Sequence, residues 1–186
     1  TLATFEAMYT QAQGEPDPGF ADIAEHLPVA WRRGLKRATM DLDGDKLKRY
    51  RASYSRMLGL VRLMHDSGVK LVAGTDGFPG ALVLQRELEL YVRAGLRPAH
   101  VLRFATWGAA EITGTSHELG SIEVGKVADL MLVDGDPTQR LADLRRVALV
   151  LKGDTAYAPA AICEAVGLRP FAEAASIQRV AMGASR

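Results

Sequence analysis

Leu47, Tyr50, Tyr54, Met57, Leu58, Val61 and Met64 recur at three- and four-residue spacing, the signature of one face of an amphipathic helix. The pattern predicts a long helix over residues 41–67, closed by Gly68 as its C-terminal cap. The run "VKLVA", residues 69–73, then reads as a short β-strand, and a Gly-Thr-Asp-Gly turn follows it. A second helix is expected from Ala81 to Arg93, with Leu84, Leu88 and Tyr91 on one face and Gly95 at its end. Pro98 suits the first turn of a third helix, which the pattern carries as one element through residue 114. Beyond His117 the pattern changes. "GSIEVGKVADLMLVDGDP" and "RRVALVLKGDTAY" read as short strands joined by Gly/Asp turns.

At the start, residues 1–10 have the character of a strand end running into a helix, and residues 14–22, "GEPDPGFAD", form a turn-rich loop with a short helical piece behind it. Residues 158–186 read as a helix followed by weakly structured sequence, and "PAAICEAVG" is apolar enough to dock on the preceding elements. The fold class is α/β, with two architectures meeting near His117 and no internal repeat.

Composition narrows the function classes. The chain has 186 residues, 48% hydrophobic and 24% charged, enough to bury a core in one or two domains. Its net charge is +1 with Lys and Arg spread along the sequence, which gives no electrostatic footprint for nucleic acid or an anionic membrane. "WRRGLKR", residues 31–37, is the densest basic stretch and reads as solvated surface. Cys163 is the single cysteine, which excludes an internal disulfide framework and a multi-cysteine zinc site. No run approaches the roughly 18 apolar residues of a membrane span, and no basic-then-apolar signal pattern opens the chain.

Asp76 is the residue with the most chemical interest. In parallel α/β folds the reactive groups sit at the carboxyl ends of strands, where Asp76 is expected. A carboxylate there can bind a cation or hold a water and take its proton. It can equally cap the helix near Ala81 or fix a turn. Phe78, Pro79 and Gly80 border the same loop, either shaping substrate fit or turning the chain. Glu87 is within reach of such a pocket, although two turns into a helix it reads as a surface or salt-bridge residue. Backbone N–H groups of residues 77–80 offer an anion a place at the helix start, but no lysine follows the glycines, so a phosphate loop is not expected. "DLDGD", residues 41–45, fails as a calcium loop, because Lys46 and Ala52 stand where glycine and glutamate are required. Its charge suits a helix N-terminus.

Taken in order, "LVAGTDGFPG", "LQRELELYVRAGLRPAHVLRFATWGAAEITG" and "LGSIEVGKVADLMLVDGDP" resemble the C-terminal part of an amidohydrolase-superfamily metal hydrolase, in the branch of imidazolonepropionase-like hydrolases and Xaa-Pro dipeptidases. The resemblance covers roughly residues 69–157, and "TLATFE" resembles the end of the preceding barrel strand. It implies the C-terminal portion of a TIM-like (β/α)8 barrel over residues 1–116, part of a small β-sandwich over 117–158 and a C-terminal helix and tail over 159–186. It further implies a divalent metal, zinc first, as one or two ions. Asp76 would be both metal contact and proton shuttle, Gly77 and Phe78 would contact a small-molecule substrate, and a C–N bond in a cyclic amide, an amide or an Xaa-Pro dipeptide would be hydrolysed. Lys126 and Asp129 are read as structural, with Gly120 and Gly125 making turns.

The other metal ligands of that family, histidines on earlier strands and a bridging residue, have no counterpart here. His26, His65, His100 and His117 all stand outside the required strand ends. A complete barrel of this kind takes about 200 residues or more, and about 116 precede the sandwich-like segment, so a fragment is expected. Alone it should be inactive and prone to associate, its partners being the missing N-terminal barrel half or a second copy. Two rival readings are a deaminase or ester hydrolase of the same superfamily, and a non-catalytic binding module built from a half-barrel.

Overall fold

The inward positions of the long helical pattern are the ones that pack. The computed structural model describes residues 1–77 and 80–176. Its helices are α1 (Leu2–Thr10), α2 (Val29–Gly34), α3 (Gly44–Asp66), α4 (Gly80–Arg93), α5 (Pro98–Ala105), α6 (Trp107–Thr113) and α7 (Pro159–Ala165). The strands are β1 (Leu130–Val133), β2 (Val147–Lys152) and β3 (Thr155–Tyr157), and 3-10 turns lie at Ala21–His26 and Leu141–Arg145. On α3, Tyr54 and Leu58 are buried with Met57 and Val61 beside them, and Leu60 and Leu63 face away, exposed. The helix ends as its sequence predicts: Gly68 N–H donates to His65 O at 3.0 Å and Val69 N–H to Met64 O at 3.0 Å, the paired bonds of a Schellman end. Gly95 and Leu96 close α4 in the same way, on Val92 O and Tyr91 O.

Helix α4 is the centre of the fold. Leu82, Val83, Leu88, Leu90 and Tyr91 are buried, a wider stripe than the single predicted face, because α1, α3, α5 and the Leu141–Arg145 turn all pack on it. Leu2, Tyr54, Leu58, Leu90, Leu96, Val101, Leu141 and Leu144 belong to one apolar core, so the turn before β2 is rooted among the helices. A smaller cluster of Ile23, Leu27 and Leu82 receives Leu168 and Phe171 from the segment after α7. Residues 31–37 are exposed apart from half-buried Leu35, as a solvated basic surface should be. No helix among the described residues is long and apolar enough to cross a membrane.

Three expectations are corrected. Residues 69–73 form no strand, because a strand exists only through a ladder partner and none lies beside them among the described residues. The helix expected within residues 1–10 is present, but it begins at Leu2 with no strand end before it, and the described residues contain no parallel barrel strands. The helix expected over 98–114 breaks at Thr106, whose φ of −124° and ψ of −100° leave the helical region and whose hydroxyl donates to Leu102 O at 2.9 Å. The three strands past His117 form one antiparallel sheet, β1-β2-β3, with a register irregularity between Leu132 and Val133. Met131 and Leu132 are exposed, so no second sheet covers them among the described residues. Asp129 accepts from Lys152 Nζ and Gly153 N–H, both at 3.0 Å, which is the strand-end role expected of it. Lys126 likewise donates to Ser116 O at 2.7 Å and lies 4.7 Å from the ring centre of Trp107.

Gly120 carries a checkable consequence. Its φ is +90°, and an added Cβ would lie 2.8 Å from Ala110 Cβ and 3.0 Å from Trp107 Cα, so the turn rests directly on α6. Gly120→Ala combines left-handed strain with backbone overlap and should cost about 2 kcal/mol. A urea midpoint that does not move would show that this turn is not docked as described.

Candidate active site

The loop that carries Asp76 is held by its neighbours rather than by a β-ladder. Thr1 and Thr4 hydroxyls lie 3.0 Å apart, and Thr4 Oγ1 donates to Asp76 O at 3.4 Å, so the start of α1 grips the loop backbone. From the other side, Tyr91 OH on α4 donates to Val72 O at 3.4 Å. Glu87, also on α4, is buried and accepts from Ala3 N–H at 2.7 Å. It is therefore neither the surface residue nor the salt-bridge residue expected, but a carboxylate placed at the positive N-terminal end of α1. Burial and the Glu87 charge together push the Tyr91 phenol well above its ordinary value.

Asp76 itself has φ +141°, a region that non-glycine residues occupy at a cost of about 1–3 kcal/mol. Its side chain is exposed and makes no hydrogen bond or ion pair with the described residues, so no helix-cap bond to α4 accounts for it. Gly77 lies against the first turns of α4, where a Cβ would stand 3.3 Å from Val83 Cγ2. Phe78, the other expected substrate contact, and Pro79 lie outside the described residues.

Asp76 and Gly77 line a cavity of about 240 Å³ whose other walls include Ala7, Met8, Phe20 and Val83, with Asp17 and Arg86 among its polar residues. A larger cavity, of about 620 Å³, is lined by Gln11, Glu15, Arg51, Tyr54 and Arg93 and contains no residue of the Asp76 loop. Arg86 is locked: its Nε and Nη2 donate to Glu6 at 2.7 and 2.8 Å and its Nη1 to Glu89 at 3.1 Å. Asp17 escapes sequence reading, since "PDPG" presents it as turn chemistry. It does make a turn, accepting from Gly19 N–H at 2.8 Å, and the same residue lines the pocket. Burial raises the Asp17 carboxyl above its ordinary value, against the pull of the Gly19 bond.

A zinc site takes about three protein ligands. No group of three or more His, Cys, Asp or Glu that could hold a metal ion forms among the described residues. His26 stacks on Phe171 at 3.9 Å, His65 and His100 lie 5.8 Å apart on α3 and α5, and none of the histidines lines the Asp76 cavity. Asp76 is thus available as one ligand, and the described residues alone do not complete a metal centre.

Residues 17–161 match the Amidohydrolase family, and the chain belongs to it. Among curated relatives it is similar to the imidazolonepropionase of Brevibacillus brevis, 41% identical over 78 residues that cover 39% of this chain and 18% of the relative. Among solved structures it is similar to a Xaa-Pro dipeptidase with bound methionine in its active site, at 27% identity and TM-score 0.54, covering 61% of this chain and 28% of the other. A bottromycin amidohydrolase, 22% identical with TM-score 0.59, shares the fold over 91% of this chain and 40% of its own. The chain spans less than half the length of each of these proteins.

Proposed function

We propose that this chain is the C-terminal part of a hydrolase that cleaves a C–N bond, with Asp76 as its proton-transfer carboxylate. The observation that carries the reading is the setting of Asp76: a carboxylate on a strained loop, without partners among the described residues, at the wall of a pocket in an amidohydrolase chain. Hydrolysis of an amide or cyclic amide needs a proton taken from the attacking water and a proton given to the departing nitrogen. One exposed carboxylate within hydrogen-bond reach of both atoms serves both transfers. Gly77 and Phe78 would contact the small-molecule substrate, a cyclic amide, an amide or an Xaa-Pro dipeptide.

In this reading residues 1–116 belong to a TIM-like barrel, 117–158 to a β-sandwich and 159–186 to a terminal helix and tail. A divalent ion, zinc first, as one or two ions, would supply water activation when bound. Asp76 would offer it one oxygen, and the remaining ligands would come from an N-terminal barrel half outside this chain. The test is hydrolysis of Xaa-Pro dipeptides and imidazolone-type cyclic amides with added zinc, comparing the protein at its natural length with this chain alone. The longer protein should turn over at least one class and the chain alone none. Turnover by the chain well above a blank would overturn the partial-site reading, and failure of the longer protein on the whole panel would overturn the hydrolase reading.

A further inference from the structure

We propose that Tyr91 and Thr4 are positioning residues of the Asp76 site: their two hydroxyls hold the loop backbone, and with it the carboxylate, in one place. The inference rests on reading Asp76 as the proton-transfer carboxylate and adds what keeps it in register with the reacting atoms.

A non-glycine residue keeps a φ of +141° only where its surroundings impose it. Around residues 70–77 those surroundings are sparse. No β-ladder runs beside them, and their backbone makes two hydrogen bonds with other segments among the described residues. Both are carbonyls accepting from a hydroxyl: Asp76 O from Thr4 Oγ1, and Val72 O from Tyr91 OH, each at 3.4 Å. Leu71 and Ala73 also pack on the core, but such contacts are non-directional. Each hydroxyl is itself fixed. Thr1 Oγ1 lies 3.0 Å from Thr4 Oγ1, and donating to it leaves the Thr4 proton for Asp76 O. Ala3, next to Thr4, is anchored by its N–H on the buried Glu87 carboxylate at 2.7 Å. Tyr91 is buried one turn after Glu87 on α4, and its phenol is held between that carboxylate and Val72 O. One face of α4 therefore steadies both holders. Tyr91 does not line the Asp76 cavity, so its hydroxyl reaches the chemistry only through the backbone. Thr4 does line it, with its proton committed to Asp76 O. The Asp76 carboxylate has no partner of its own among the described residues, so the backbone decides where it stands. A misplacement of about 1 Å costs a proton-transfer group on the order of a hundredfold in rate.

Tyr91→Phe and Thr4→Val each delete one hydroxyl and keep the shape around it. In the natural-length protein each should lower kcat about tenfold while KM stays within about twofold, because the substrate still binds and only the carboxylate is misplaced. Thr4→Ser returns a hydroxyl and should keep kcat within about threefold of the parent. In an Asp76→Asn background Tyr91→Phe should change the residual rate by less than about twofold, since the group it positions is gone, whereas a general weakening of the fold would lower both backgrounds alike. Circular dichroism checks that each variant is folded. Backbone order parameters from 15N relaxation provide a readout that needs no turnover: residues 73–77 should loosen in Tyr91→Phe and in Thr4→Val while α4 stays rigid. The proposal is overturned if kcat in both variants stays within about twofold of the parent, if the loss falls on KM, if Tyr91→Phe costs as much without Asp76 as with it, or if the loop does not loosen. The two readings separate. Full activity in Asp76→Asn with a loosened loop in Tyr91→Phe would remove the proton-transfer role of Asp76 and leave the holding of the loop in place. An inactive Asp76→Asn with an unchanged loop in Tyr91→Phe would remove the positioning role alone.

Discussion

Asp76→Asn should lower kcat/KM of the natural-length enzyme by about a hundred- to ten-thousand-fold, the range for removing a general acid or base. The fold should not notice. Asp76 is exposed and its carboxylate bonds to nothing among the described residues, so the unfolding midpoint should move by less than about 0.5 kcal/mol, as for other surface changes. Asp76→Gly sharpens the test. Glycine accepts φ +141° without cost, so this variant should be as inactive as Asp76→Asn while gaining about 1 kcal/mol in stability. A side chain that lowers stability where it stands and has no partner among the described residues is explained by chemistry. If both variants keep activity within about threefold of the parent, proton transfer belongs to another group, and Asp17, on the same pocket wall, is the first to examine.

How much of this was legible before the structure depends on whether a feature is local. Helices α3 and α4 and the caps at Gly68 and Gly95 follow from apolar spacing and turn residues within a few positions of each other. The three antiparallel strands were equally readable, since hairpin-type neighbours lie close in sequence. Residues 69–73 have strand composition but no ladder, and composition does not reveal whether a partner is present. The break at Thr106 was hidden for a related reason: threonine is tolerated in helices, and the bond from its hydroxyl to Leu102 O is a detail of geometry. The Gly-Thr-Asp-Gly loop drew attention to Asp76 by residue type alone. Asp17 did not stand out, because the cavity it lines is shared with Asp76, some 60 positions away in sequence.

Glu6 was invisible for the same reason, and its replacement should have the largest effect on stability. It is 1% exposed on α1 and accepts two bonds from Arg86 and one, at 3.0 Å, from Arg93, both on α4 and 80 or more positions distant. Arg86 also holds Glu89, and Glu89 accepts from Arg145 at 3.0 Å, so alternating charges run from α1 through α4 to the turn before β2. Glu6→Ala leaves Arg86 without its forked partner in a poorly solvated place and should cost about 3–5 kcal/mol, read from urea unfolding at low protein concentration. Arg93→Ala should cost less than about 1 kcal/mol, because that side chain is 61% exposed and solvent screens its pair. Replacing both partners, Glu6→Leu with Arg86→Met, should recover most of the loss, since an apolar pair of similar volume avoids desolvating two charges. Glu89 keeps Arg145 in that double variant. A loss below about 1 kcal/mol in Glu6→Ala would mean that water reaches the pair, and that α1 is held to α4 by Leu2, the Glu87–Ala3 bond and apolar packing instead.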